Sequence, residues 1–177
     1  MNRYVLLLRG INVGRNRRIG MADLRELLTA EGHTNVATLL QSGNVVLDSD
    51  LPRAELGPSA EKAIEKRFGL SVDVIVRDRA DLAALVAENP FADVAADGSR
   101  FTVSFLAAPL TTPVTELLAG VDPLDDLFAA RDEEIYVWCP HGLSNSPVIT
   151  ALSRIKNQPA ATVRNWNTVQ KLLAMLD

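Results

Sequence analysis

Arg9, Arg15, Arg17 and Arg18 fall in one short stretch with Gly10, Asn12 and Gly14, directly after the apolar run Leu6-Leu7-Leu8. A guanidinium offers forked N–H donors that match phosphate or carboxylate, and glycine lets the backbone itself approach a ligand. A loop between a strand's end and a helix's start adds unpaired backbone N–H groups and the positive end of the helix dipole. The stretch therefore predicts an anion cradle. It matches neither GxxxxGK[ST] nor GxGxxG, so it does not specify a nucleotide. The competing reading is a solvated basic turn whose arginines pair with acids of the other half of the chain.

Three further groups carry polar chemistry. Gln41-Ser42-Gly43-Asn44 places two amides and a hydroxyl in a tight hairpin, which turn chemistry alone also accounts for. Arg164-Asn165-Trp166-Asn167-Thr168 combines a cation, two amides and an indole at a helix start. There Asn165 caps and Trp166 anchors the helix, or Arg164 and Asn167 face the ligand of the first loop. Cys139-Pro140-His141 brings a thiol close to an imidazole, but His33 is the only other histidine, too few soft ligands for zinc. The interposed proline and neighbouring Trp138 favour an inert packed thiol over a nucleophile. Asp122, Asp125, Asp126, Asp132, Glu133 and Glu134 read as a solvated acidic face. No catalytic group, metal or cofactor is assigned.

Length and composition limit what these groups serve. The 177 residues are 47% hydrophobic and 23% charged, enough for a globular core and too apolar for disorder. No apolar run is long enough to span a bilayer, and with Cys139 as the single cysteine the chain reads as cytoplasmic. The net charge of −4 is uneven: residues 1–19 carry +5 and residues 150–176 carry +4, which leaves −13 on the rest. That asymmetry predicts one electropositive face on an acidic body, provided the two ends of the chain meet in space, while the acidic isoelectric point near 5.2 argues against a general nucleic-acid binder.

The elements that must position these residues follow from periodicity. Tyr4–Leu8 reads as a buried strand, and Met21, Leu24, Leu27 and Leu28 as a helical stripe ending at Gly32. Strands 36–41 and 44–47 flank Ser42-Gly43, and Ala60, Ala63, Ile64 and Phe68 mark a helix that Gly57-Pro58 interrupts. Val72, Val74 and Val76 mark a fourth strand. A linking helix capped by Asp78 ends before Asn89-Pro90, and residues 95–99 form a loop.

The order then repeats. Phe101, Val103 and Phe105 make a strand, and Thr112-Pro113 opens a short helix. Strands 127–131 and 135–139 flank Asp132-Glu133, Ser146-Pro147 opens another helix, and 160–163 is a strand before a closing helix capped by Asn165. Two βαββαβ runs predict an α+β, duplicated ferredoxin-like fold in two closely packed halves. The boundaries are 1–77 for the first half, 78–100 for the linking helix and loop, and 101–177 for the second half with its C-terminal helix.

Three segments together carry a family resemblance: Leu7-Leu8-Arg9-Gly10-Ile11-Asn12-Val13-Gly14, Leu40-Gln41-Ser42-Gly43-Asn44-Val45-Val46 and Thr162-Val163-Arg164-Asn165-Trp166-Asn167-Thr168. The chain resembles, essentially end to end, the bacterial family catalogued as domain of unknown function 1697. The resemblance implies the same duplicated α+β topology and no particular activity. The family's loop commonly reads Gly-Gly-Lys or Gly-Gly-Arg, whereas here Gly14 passes directly to Arg15. It also raises Gln41, Ser42 and Asn44 from turn residues to site candidates.

The combined expectation is a binding protein for a small phosphorylated or carboxylated ligand. Its contacts are Arg9, Gly10, Asn12, Gly14, Arg15, Arg18, Gln41, Ser42, Asn44, Arg164, Asn165, Trp166 and Asn167. The alternative is a phosphate-handling hydrolase resembling ferredoxin-like acyl-phosphate hydrolases, with Arg9 or Arg15 as clamp and Asn44 positioning water. RNA binding through the sheet face is disfavoured because Asn44-Val45-Val46-Leu47 offers no aromatic ring for stacking. No membrane partner is expected, and the oligomeric state is open.

Overall fold

Five consecutive residues, Tyr4 to Leu8, are buried without alternation, which is how a strand covered on both faces reads. They belong to β1 (Asn2–Leu8), one of the two inner strands of a four-stranded sheet in the computed structural model, which describes residues 1–177. The chain has a mixed α/β fold with two such antiparallel sheets, each flanked by helices. It divides into two units, residues 1–84 with 171–177, and residues 85–170.

The first unit contains β1, α1 (Met21–Ala30), β2 (Thr34–Leu39), β3 (Asn44–Ser49), α2 (Arg53–Phe68) and β4 (Val74–Asp78). The sheet order is β2-β3-β1-β4, with Leu6 opposite both Val45 and Val76. One face, carrying Tyr4, Leu6, Leu8, Val45, Leu47 and Val76, packs with Leu24 and Leu28 of α1 and Leu56, Ala60 and Ile64 of α2. Each fully buried Leu or Val there contributes about 1.5–3 kcal/mol. The other face, with Val5, Leu7, Asn44, Val46 and Arg77, is buried too.

Two local expectations change. Helix α2 runs unbroken through Pro58. The proline ring removes a single intrahelical bond, the one to the carbonyl of Ala54, while buried Gly57 lets the helix close on β4, where a Cβ would meet the Val74 carbonyl at 3.1 Å. The hairpin turn spans Leu40 to Gly43 rather than two residues, because Leu39 pairs with Asn44 across it.

Helix α3 (Arg79–Ala87) begins in the first unit and continues into the second. Asp78 caps it as expected: its Oδ1 accepts from the Asp81 N–H at 2.8 Å, and Asp81 accepts in return from the Asp78 N–H at 2.9 Å.

The second unit contains β5 (Phe101–Leu106), α4 (Val114–Leu117), β6 (Leu127–Arg131), β7 (Glu134–Trp138), α5 (Pro147–Arg154), β8 (Ala161–Asn165) and the first half of α6 (Trp166–Met175). Its order, β6-β7-β5-β8, repeats that of the first sheet. Leu106, Ile135 and Val137 pack with Val114, Leu118 and Val148 on one face. Pro113 rather than Thr112 precedes α4, and no side chain caps it. Two acids expected in solvent are buried. Asp126 accepts from the Ser146 hydroxyl at 2.6 Å, and Glu134 pairs with Arg131 at 3.2 Å.

The register reveals equivalences between halves that similarity of residue type does not. Val5 lies opposite Arg77 and Val103 opposite Arg164; Tyr4 lies opposite Asp78 and Thr102 opposite Asn165. Each half thus ends its last strand on a buried arginine followed by a helix-capping residue. The second half of α6, from Lys171, groups with the first unit, where the Met175 carbonyl accepts from Arg3 Nε at 3.1 Å and Asp177 pairs with Arg79 at 2.6 Å. No helix is long and apolar enough to cross a membrane.

Candidate functional site

The stretch from Arg9 to Gly20 leaves β1 where the sheet runs out of partners. Its first two links still use the sheet: the Leu8 N–H donates to the Gly43 carbonyl at 2.9 Å and the Arg9 N–H to the Asp73 carbonyl at 3.0 Å. Beyond that point the Asn12 N–H donates to the Arg17 carbonyl at 2.9 Å, and side chains supply the remaining ties. Ile11 and Ile19, both 2% exposed, pin the loop's two ends into the core of the first unit.

Asn12 organises what lies between. It adopts a left-handed conformation (φ 56°), which asparagine tolerates better than most residues. Its Nδ2 donates to the carbonyls of Ile19 at 2.9 Å and Gln41 at 2.8 Å, and its Oδ1 accepts from the Ile19 N–H at 2.9 Å. One side chain therefore closes the loop and ties it to the β2–β3 turn. Gly43 at that turn has φ 90°, and a Cβ there would lie 2.8 Å from both Leu8 Cβ and Ile11 Cδ1. Only glycine fits this junction.

The arginines divide into two kinds. Arg17, which sequence reasoning grouped with the ligand donors and left outside the final contact set, is structural: Nε donates to the Gly10 carbonyl at 2.8 Å and Nη2 to the Ser71 carbonyl at 2.7 Å. Arg9 pairs with Asp73 at 3.3 Å, with both side chains about half exposed, so the pair contributes little stability and remains open to exchange. Arg15 and Arg18 are exposed and make no hydrogen bond or ion pair. Gly10 and Gly14 are exposed with positive φ and open space around them. Helix α1 opens at Gly20 with no side-chain cap, and Asp23 provides a carboxylate in its first turn.

Two residues expected to touch a ligand are consumed by the fold. Asn44 is wholly buried, and its Nδ2 donates to the Leu39 carbonyl at 2.8 Å and Ser42 Oγ at 3.0 Å. It stabilises the turn from beneath and offers no surface for positioning water. Asn12 likewise spends its amide on the loop. Gln41 and Ser42 remain exposed on the turn beside Asn12.

Arg164–Asn167 lies in the second unit, and each member has a local partner. Arg164 is 7% exposed and donates to Thr162 Oγ1 at 2.6 Å and the Val163 carbonyl at 2.9 Å. Burial pushes its guanidinium pKa down to about 10. Asn165 caps α6 by accepting from the Thr168 N–H at 3.0 Å. Trp166 stacks on Phe101 at 4.7 Å between centroids, in a cluster with Tyr136. The Tyr136 hydroxyl donates to the Leu85 carbonyl at 2.6 Å, and burial raises its pKa to about 12. Asn167 is exposed but rests on Gly98, where any Cβ would collide with its amide. The geometry thus supplies the structural reading of this motif in full.

Sequence reasoning missed Asp73 and Ser71 as partners of the loop, since nothing local marks them. It also missed Arg77, which the Arg-Asp pair at a strand's end could have flagged beside Arg164-Asn165. Cys139 is fully buried and burial raises its thiol pKa, while exposed His141 pairs with Asp125 at 2.6 Å. No group of three or more His, Cys, Asp or Glu side chains is placed to hold a metal.

The chain is 25% identical to the conserved bacterial protein SP0830 from Streptococcus pneumoniae, with 99% of this chain and 98% of that one covered and a TM-score of 0.80. No curated protein matches. The family described as protein of unknown function (domain of unknown function 1697) matches residues 1–136, well over half of the sequence, and the chain belongs to that family.

Proposed function

We propose that the first unit binds a small phosphorylated or carboxylated ligand on the Arg9–Arg18 loop. The observation that carries this reading is the division of labour within the loop: Asn12 and Arg17 hold it rigid, while Arg15 and Arg18 project with no partner. A loop already ordered loses little entropy on binding, so unpaired guanidinium groups on it are suited to recognition rather than to folding. Arg9, half exposed in a weak pair, adds a third donor, and the uncapped start of α1 favours negative charge nearby. Gln41 and Ser42 flank the same loop. We also read each half as a ferredoxin-like unit, on the strength of the βαββαβ order and the matching strand orders.

The hydrolase alternative loses its water-positioning group with Asn44 buried, so binding is the reading retained. RNA recognition through a sheet face is likewise left aside, because β1, β3 and β4 of the first sheet are buried on both faces.

The test is thermal denaturation of the full chain with inorganic phosphate, a sugar phosphate and citrate. Saturation at 100 times the Kd contributes about 2.7 kcal/mol, which raises the melting midpoint by roughly 5–11 °C in a chain of this size. Arg15→Ala with Arg18→Ala abolishes the shift and leaves the ligand-free midpoint in place. A double variant that responds like the parent, or a parent that responds to no anion, refutes the proposal.

A further inference from the structure

The second unit holds a cleft of about 470 Å³ that is lined by none of the proposed ligand contacts. Its walls are the loop after α4 and one face of α5, and the polar groups within it include Asp122, Ser144, Asn145, Thr150 and Arg154. It is a shallow, open depression and not an enclosed pocket, so a ligand there is held chiefly by its charged groups.

The helical wall is fixed from below. Ser146 Oγ accepts from the Ile149 N–H at 3.0 Å and donates to buried Asp126, which also accepts from the Val148 N–H at 3.3 Å. The start of α5 is therefore already occupied by the protein's own hydroxyl and carboxylate. Any anion in the cleft must be met elsewhere, and Arg154 is the cation available. It is exposed and makes no hydrogen bond or ion pair, and it lies one turn beyond Thr150 on the same face.

Asp122 lines the same cleft with opposite charge. Its Oδ1 accepts from the Leu124 N–H at 3.0 Å, and it makes no ion pair. A cation and an anion thus share one cleft without pairing with each other. Leu124 stands at the rim 70% exposed and in a left-handed conformation (φ 52°), which leucine adopts only against its preference.

We infer that this cleft takes a zwitterionic ligand, a free amino acid or short peptide, with its carboxylate on Arg154 and its ammonium on Asp122. Thr150 and Ser144 supply neutral hydroxyl partners, and Leu124 covers the apolar part. The site is independent of the basic loop in the first unit.

Amide NMR of the full chain titrated with L-leucine and with leucyl-leucine tests it. Isovalerate, which lacks the ammonium, and isoamylamine, which lacks the carboxylate, are the comparison probes. Saturable shifts confined to residues 120–124 and 144–154 are expected with at least one zwitterion. Each single-charge analogue binds about tenfold more weakly, the effect of losing one charged hydrogen-bonded partner. Arg154→Gln and Asp122→Asn each weaken the zwitterion by about the same factor with unchanged melting, since both side chains are exposed. Isovalerate binding as tightly as leucine overturns the inference in favour of a plain anion site. Absence of shifts with both zwitterions, or shifts unaffected by either variant, overturns it outright.

Discussion

Replacing Asn12 with alanine tests the claim that one side chain builds the basic loop. The substitution removes three hydrogen bonds, two donated by Nδ2 and one accepted by Oδ1. Part of the network is exposed, so each bond is set at the low end of its range, and the three together contribute about 2 kcal/mol. Alanine must also hold φ 56°, which costs about 1 kcal/mol more than it does for asparagine. The total, about 3 kcal/mol, lowers the melting midpoint by roughly 6–12 °C in a chain of this length. Asn12→Gly separates the two causes, because it loses the same bonds without the conformational cost and should recover about 1 kcal/mol. Urea denaturation gives the free energies, and amide exchange at residues 11–19 and 40–43 shows where the damage lies. If Asn12→Ala unfolds within about 0.5 kcal/mol of the parent and those amides exchange no faster, the staple does not hold the loop and the preordered cradle fails with it.

Other perturbations separate local fit from global stability. Gly43→Ala forces a methyl to 2.8 Å from Leu8 and Ile11 at φ 90°, and should destabilise by about 3 kcal/mol in denaturant. Gly10→Ala meets open space and should cost only about 1 kcal/mol, so equal losses would contradict the packing account. Asp48 accepts from Asn35 at 2.6 Å and Arg3 at 2.9 Å, and the Asn35 bond above all holds its carboxyl pKa below the usual value. A depressed pKa gives stability that is present above the unfolded value near 4 and lost as pH falls through the folded one. The melting-point gap between parent and Asp48→Asn should therefore be open at neutral pH and close in acid; a constant gap contradicts it. Burial raises the Cys139 thiol pKa, so iodoacetamide at mildly alkaline pH should modify it far more slowly in the folded chain than in urea. Equal rates would place the thiol in solvent.

Where the sequence succeeded, the signals were local. Asp78, Ser146 and Asn165 were legible as helix caps because each cap bonds a residue three positions on, and all three make that bond. The repeated order of elements followed from periodicity, which depends only on neighbours along the chain. Even there, Pro58 misled, since whether a helix survives a proline depends on what packs against it, here β4 through Gly57.

For the candidate site, the sequence by itself determined which side chains are present: a cluster of arginines, two glycines and two asparagines after the first strand. The tertiary structure decided which of them are spent. Asn12, Arg17 and Asn44 look as free as Arg15 and Arg18 in the sequence, and their fates separate only because Gln41, Ser71 and Leu39 arrive beside them. Asp126 was indistinguishable from its acidic neighbours until Ser146, twenty positions away, supplied the hydroxyl that buries it. A polar group's availability is set by its partners, and partners distant in sequence meet only once the strands have paired.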